Sequence, residues 1–147
     1  MFERFRRFLL RRRLYALMVA AIFSGLAVPL VTAMPASADA DGCTQISGGY
    51  TCTLIEGGGL HVNTFQQSKG NVSKIPQNCN YYAEFTVSKN GNVYWSGKSD
   101  FHRGCDNFPR VSRRLTVNRD FQDGSRACGT WFENNTRLGT TCLNIHR

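Results

Sequence analysis

The chain has 147 residues, with 18 Lys plus Arg against 10 Asp plus Glu and a formal net charge of +8. Residues 39–147 carry twelve of the basic and nine of the acidic residues, so the excess falls to +3 without the N-terminal segment. A balance this close to neutral excludes an argument from overall charge for nucleic-acid or membrane-surface binding. No nucleic-acid partner is therefore expected.

The first 38 residues have the three regions of a secretory signal peptide. Six arginines fall within residues 1–13, a mostly apolar run covers residues 14–33, and the Ala-Ser-Ala triplet at 36–38 is a cleavage site. We expect cleavage after this triplet, with Ala40 as second choice, and secretion to the extracellular side or the cell envelope. The general and twin-arginine export routes both stay open. A retained anchor is the alternative, because about 20 residues can span a bilayer.

Residues 39–147 have the size of one domain, and they contain all six cysteines of the chain. An even cysteine count in a small exported domain predicts three disulfides. Closely spaced cysteine pairs of the kind that bind zinc do not occur, and no two histidines have metal-ligand spacing. We expect neither a metal site nor another cofactor.

Turn residues recur every eight to twelve positions in this part, and the segments between them are rich in Thr, Val, Tyr, Phe and Trp. This pattern predicts an all-β fold, a small antiparallel sandwich of about eight strands. Residues 60–66 and 110–119 are two of the predicted strands. The polar residues 67–78 are predicted to form a long connection.

The clearest predicted hairpin turns at Asn90–Gly91, since both residues tolerate the positive φ that a two-residue type I′ turn needs. A two-residue loop places Val87 opposite Tyr94. Phe85, Val87 and Tyr94 then share the face expected in the core, and Trp95 is expected on the outer face.

A second predicted hairpin turns at residues 134–136. With a three-residue loop Glu133 faces Arg137, and the same register places Cys128 opposite Cys142, where a disulfide can form between neighbouring strands.

A third hairpin joins Cys43 to Cys52 through a turn at residues 47–49, and a two-residue turn there also opposes its cysteines. Cys79 and Cys105 remain as the third pair. Six cysteines allow fifteen connectivities, so this sequential pairing rests on the symmetry of the hairpins.

Six arginines are concentrated in residues 103–126, and aromatic residues lie in and beside the two main hairpins on either side of this segment. Neighbouring residues of a strand point to opposite faces, so one member of each adjacent aromatic pair should be exposed next to the arginines, as in contact surfaces. The alternative for the arginines is a solvated, salt-bridged strand and loop. The alternative for the aromatic residues is a sandwich whose loops cover them. The predicted binding residues are Trp95, Trp131, Arg113, Arg114, Arg110 and Tyr94.

These features favour a non-enzymatic binding module for an envelope or extracellular protein, with a role in bacterial competition as a special case. An anionic wall polymer is a second possible partner, since arginine forks suit phosphate and carboxylate. A small hydrolase such as a ribonuclease-like toxin is the rival class, and its candidate residues are His61, His102, Glu84 and Glu133. A structural wall-associated protein is third.

The Arg-rich N-terminal segment with its Ala-Ser-Ala site, and residues 126–135 followed by the return to Cys142, resemble small secreted cysteine-containing proteins of actinomycetes. The resemblance implies an extracellular location and a disulfide-stapled β fold. It implies no catalytic residues.

Overall fold

The computed structural model describes residues 40–73 and 76–147, so the predicted signal peptide lies outside the described residues. In this part of the chain no helix is long and apolar enough to cross a membrane. The described residues form nine strands. They are β1 (Ala40–Ile46), β2 (Gly49–Gly58), β3 (His61–Asn71), β4 (Asn78–Lys89), β5 (Asn92–Lys98), β6 (His102–Asp106), β7 (Arg110–Asp120), β8 (Ser125–Glu133) and β9 (Thr136–Ile145).

Two antiparallel sheets make up the fold, which confirms the predicted all-β class. Sheet A has the strand order β1-β2-β3-β7, and sheet B has the order β5-β4-β8-β9 with β6 on the same side of β4 as β5. About eight strands were expected. The additional one is β6, a five-residue strand with two charged residues and a glycine that carries no apolar alternation.

One end of the space between the sheets is apolar. Phe65 of β3 stacks on Phe85 of β4 with ring centroids 5.4 Å apart. This end is the hydrophobic core, and burial of its side chains is the main favourable contribution to folding. Its fully buried members include Ile55, Val62, Phe65, Phe85, Val87, Ala127 and Ile145.

Towards the other end, buried polar residues lie beside the stacked rings of Tyr81 and Trp131. Thr51, Thr53 and Gln67 are at most 1% exposed. The Thr53 hydroxyl lies 2.5 Å from Gln67 Oε1, a contact within sheet A. It also lies 3.0 Å from the carbonyl oxygen of Thr141 in β9, and this second contact joins the two sheets. Hydrogen bonds of this kind are needed because a buried polar group without a partner costs free energy.

An ion pair lies next to these polar residues. Lys69 Nζ of β3 lies 2.5 Å from Glu133 Oε2 of β8, and their side chains are only 8% and 11% exposed. Glu133 Oε1 also accepts a hydrogen bond from the backbone N–H of Cys79. The prediction that residues 67–78 are a connection is therefore wrong for 67–71, which continue β3, and for Asn78, which begins β4. The polar side chains of Gln67 and Lys69 find partners inside the sandwich, so this polar segment can be a strand.

All three disulfides join the predicted partners. Cys43–Cys52, Cys79–Cys105 and Cys128–Cys142 are each directly opposed in the strand register, and each pair of Cα atoms is 4.0 Å apart. This short spacing is that of non-hydrogen-bonded antiparallel pairs, where the side chains are closest. The hairpin symmetry was therefore sufficient to find the connectivity.

The turn of the β8–β9 hairpin differs from the prediction. It contains two residues, Asn134 and Asn135, both with positive φ, and it pairs Glu133 with Thr136 instead of Arg137. A bulge at Leu138 then inserts one residue and restores the register. The turn is one residue shorter than predicted and the bulge adds one residue to β9, so the two differences cancel and the predicted cysteine pair is correct.

The Asn90–Gly91 turn has the predicted positive φ values, but a bulge follows it. Ser88 pairs with Val93 and Val87 pairs with Trp95, so Tyr94 is the inserted residue. The insertion reverses the faces of β5 beyond the bulge. Trp95 consequently points inward and packs on the core, which corrects its predicted outer position.

The loop lengths predict how much each disulfide stabilises the domain. Replacing Cys79 and Cys105 by Ser opens a separation of 26 residues and should lower the free energy of unfolding by about 3–4 kcal/mol. The same change at Cys43 and Cys52, separated by 9 residues, should cost about 2–3 kcal/mol. Urea unfolding without reductant measures both, and the reverse order would contradict a loop-entropy origin.

The Lys69–Glu133 pair predicts a large coupling in a double-mutant cycle. Lys69→Met leaves a buried carboxylate unpaired and should destabilise the domain by about 3–5 kcal/mol, and Lys69→Met/Glu133→Gln should recover part of this loss. The exposed pair of Arg114 and Glu56 is the matched control and should couple by less than about 1 kcal/mol. Additive losses at Lys69 and Glu133 in denaturant unfolding would refute the prediction.

Candidate functional site

The six predicted contact residues do not form one surface. Trp131 is fully buried between the sheets. Trp95 packs on Phe65 and Phe121 with ring centroids 5.5 and 5.4 Å away, so it belongs to the core margin. Arg113 also points inward, which follows from its place in the alternation of β7. These three predicted binding residues are therefore structural.

Arg113 is accommodated inside by aromatic contacts. Its guanidinium carbon lies 4.8 Å from the centroid of the Tyr81 ring, a cation–π arrangement, and its buried Nε has no hydrogen-bond partner. The Tyr81 hydroxyl donates to Asp106 Oδ2 at 2.6 Å. Burial, and after it this hydrogen bond, raises the pKa of Tyr81 to about 12. The hydroxyl therefore stays neutral at physiological pH.

Arg110, Arg114 and Tyr94 remain at the surface, but they are separated. Arg114 lies on the outer face of sheet A, where its Nη2 is 3.0 Å from Glu56 Oε1 and its Nε donates to Gln66. This is the salt-bridged strand that was the alternative to a contact surface. Tyr94 lies at the β5 bulge, with its hydroxyl in a hydrogen bond to Ser125.

A different aromatic cluster lies on the outer face of sheet B. Tyr82 of β4 is directly opposite Phe132 of β8, and their rings stack at 4.8 Å and 4°. Phe101, in the segment between β5 and β6, approaches Tyr82 at 5.9 Å and is 44% exposed. Lys98 Nζ lies 3.6 Å from the centroid of the Tyr82 ring. We call Tyr82, Phe101, Phe132 and Lys98 the aromatic–lysine patch.

A shallow hydroxyl-rich depression extends from this patch across the same face. It encloses about 580 Å³. Glu84 accompanies Lys98 at 3.7 Å. Arg137 donates to the Thr140 hydroxyl, and among the described residues it has no carboxylate within ion-pair distance. The lining includes Thr86, Ser88, Val93, Arg126, Thr130, Phe132, Arg137 and Thr140 as well as the Cys128–Cys142 disulfide.

The candidate hydrolase residues lie in three places. His61 begins β3 and contacts Asp120. Glu133 instead pairs with Lys69, eight residues further along β3 than His61, which at 3.3 Å per residue is a distance of about 26 Å along the strand. His102 lies near Glu133, since Tyr81 pairs with both, but its Nε2 contacts Asp106. Glu84 is on the outer face of sheet B. The structure therefore does not bring the four together.

Within residues 40–73 and 76–147, no group of three or more His, Cys, Asp or Glu side chains is placed to hold a metal ion. A scan against protein-family models finds no match, and searches of curated proteins and of solved structures find none either.

The environment of His61 predicts its titration. Hydrogen bonds to the Asn118 side chain and then to Asp120 raise the pKa of His61 above its ordinary value of 6.5. The stability gained from the protonated ring is complete below that value and is lost as the pH rises through the folded-state pKa. NMR titration should show a lower midpoint in Asn118→Ala and Asp120→Asn. Asp123→Asn, which removes a partner of His146 instead, should leave the His61 midpoint unchanged.

Proposed function

We propose that the domain is a secreted, non-enzymatic binding module and that its contact surface is the outer face of sheet B. The observation that carries this proposal is the aromatic–lysine patch, which places stacked rings and a cation outside the core. Phe101, at 44%, is its exposed ring, while Phe132 is half-buried and Tyr82 is 8% exposed. An exposed aromatic on an apolar base with a polar rim is typical of protein interaction sites. Aromatic side chains supply much of the binding energy at such sites.

The construction of sheet B supports this use. The patch rests on β4 and β8, which are paired over eight positions, and the Cys128–Cys142 disulfide ties β8 to β9 beside it. Side chains held on such a frame lose little conformational freedom on binding, which increases affinity. The three disulfides are consistent with an extracellular location. Secretion through the N-terminal signal and the resemblance to actinomycete proteins stay predictions.

The charges around the patch favour an envelope or extracellular protein that presents carboxylates beside apolar side chains. Lys98, Arg126 and Arg137 provide three cations on this face, against Glu84 as the acidic lining residue. Rings such as Phe101 require an apolar counterpart, which a protein supplies. An anionic wall polymer would satisfy the cations without covering the rings, so it is the weaker candidate.

Affinity capture with matched variants tests the surface. The secreted domain is immobilised in its wild-type form and as three variants, Phe101→Ser, Lys98→Glu and Val72→Ser. Each form is incubated with the producer's culture fluid and solubilised envelope. Val72→Ser is the control, because Val72 is 76% exposed and lies outside sheet B. We expect one protein at a fixed ratio, recovered at least tenfold less with Phe101→Ser and Lys98→Glu and fully with Val72→Ser.

Three results would contradict the proposal. Equal recovery by all four forms would exclude this surface. Retention by purified anionic wall polymer, insensitive to Phe101→Ser, would replace the protein partner. RNA cleavage by the purified domain, lost in His102→Ala with the fold intact, would establish the hydrolase instead.

A further inference from the structure

The outer face of sheet A contains a second, smaller depression. It encloses about 330 Å³, and its floor is the Cys43–Cys52 disulfide with Leu54 beside it. Tyr50 and Arg110 also line it, and among the described residues Asp41 is its one acidic lining residue. It lies on the opposite side of the sandwich from the aromatic–lysine patch, so it is independent of the proposed contact surface.

The wall of this depression is an aromatic ring in a fixed place. Tyr50 of β2 is opposite Gly70 of β3, and its ring occupies the space that a Cβ on Gly70 would fill. The ring therefore lies against the backbone of β3 and is still 37% exposed. Together with Leu54 and the disulfide it offers an apolar surface of the size of a small organic group.

The two arginines on this face differ in their partners. Arg114 pairs with Glu56 at 3.0 Å, so its charge is neutralised. Arg110 donates from Nη2 to the Ser68 hydroxyl at 3.0 Å, and no carboxylate of the described residues lies within ion-pair distance of it. The Ser68 contact orients the guanidinium at the edge of the depression. Because the guanidinium is planar and rigid, this contact also fixes the directions of the remaining N–H groups of Arg110.

We propose that this depression binds a carboxylate that carries an apolar body, with the carboxylate on Arg110 and the apolar part against Tyr50, Leu54 and the disulfide. Arginine binds carboxylates through paired N–H donors. Small-ligand sites typically combine an apolar lining with placed polar groups, and here the apolar part is joined by Arg110, Gln66, Ser68, Thr53 and Asp41. The carboxylate can belong to a free acid or to the C-terminus of a peptide that ends in an apolar residue.

Titrations followed by NMR amide shifts test the site in the secreted domain. The probes are 3-phenylpropionate, its neutral amide, a short peptide ending in Phe with a free C-terminus, and the same peptide amidated. We expect each acid to shift the amides of Tyr50, Leu54 and Arg110 and to bind at least tenfold more tightly than its amide. The tighter of the two acids identifies the source of the carboxylate.

Two charge-removing variants provide the comparison. Arg110→Gln should lose at least tenfold in affinity for the acids and nothing for the amides, whereas Arg114→Gln should bind like wild type. Equal affinity for acid and amide would overturn the proposal, and so would equal losses in both variants. The absence of amide shifts at about 10 mM acid would also overturn it, because such weak affinity is not that of a specific site.

Discussion

The buried ion pair between Lys69 and Glu133 constrains the whole sandwich. It crosses from β3 to β8, and Glu133 also binds the backbone of Cys79 at the start of β4. A buried pair gains little net stability because both charges lose water, but it strongly disfavours arrangements that separate them. It therefore fixes the relative position of the sheets while contributing little to their cohesion. The apolar end must supply that cohesion, and in a domain of this size it is small enough for disulfides to matter.

The predictions from sequence succeeded where local chemistry determines the structure. Asn90–Gly91 and the turn between Cys43 and Cys52 set their hairpins, and opposed cysteines followed from the registers. The prediction of which faces the β5 side chains occupy failed at the bulge of that strand. One inserted residue at Tyr94 turned Trp95 into the core, and no residue in β5 signals that insertion.

The candidate site could not be predicted because it depends on pairing between distant strands. Arg113 and Arg114 are neighbours in sequence, yet one faces Tyr81 inside and the other Glu56 outside. Tyr82 and Phe132 belong to different hairpins, and no turn connects β4 to β8. Adjacent aromatic residues were expected to expose one member of each pair, and this is so for Tyr94 at 39%, whereas Phe132 is half-buried and Tyr82 only 8% exposed. Which rings meet on the outer face of sheet B is decided by the β4–β8 register alone.

The same arrangement supports the proposal that recognition takes place on the outer faces. The interior contains the hydrophobic core cluster together with Thr53, Gln67 and the ion pair. The core packing, the ion pair and the Thr53–Thr141 contact hold the sheets together, so these groups are committed to the interior. Each outer face instead carries a disulfide in a shallow depression, Cys43–Cys52 on sheet A and Cys128–Cys142 on sheet B. A cross-link beneath a contact surface limits strand motion there, and a preorganised surface loses less entropy when a partner binds. The disulfides thus have two effects: they stabilise a domain whose core is small, and they make the outer faces rigid, as a binding surface requires.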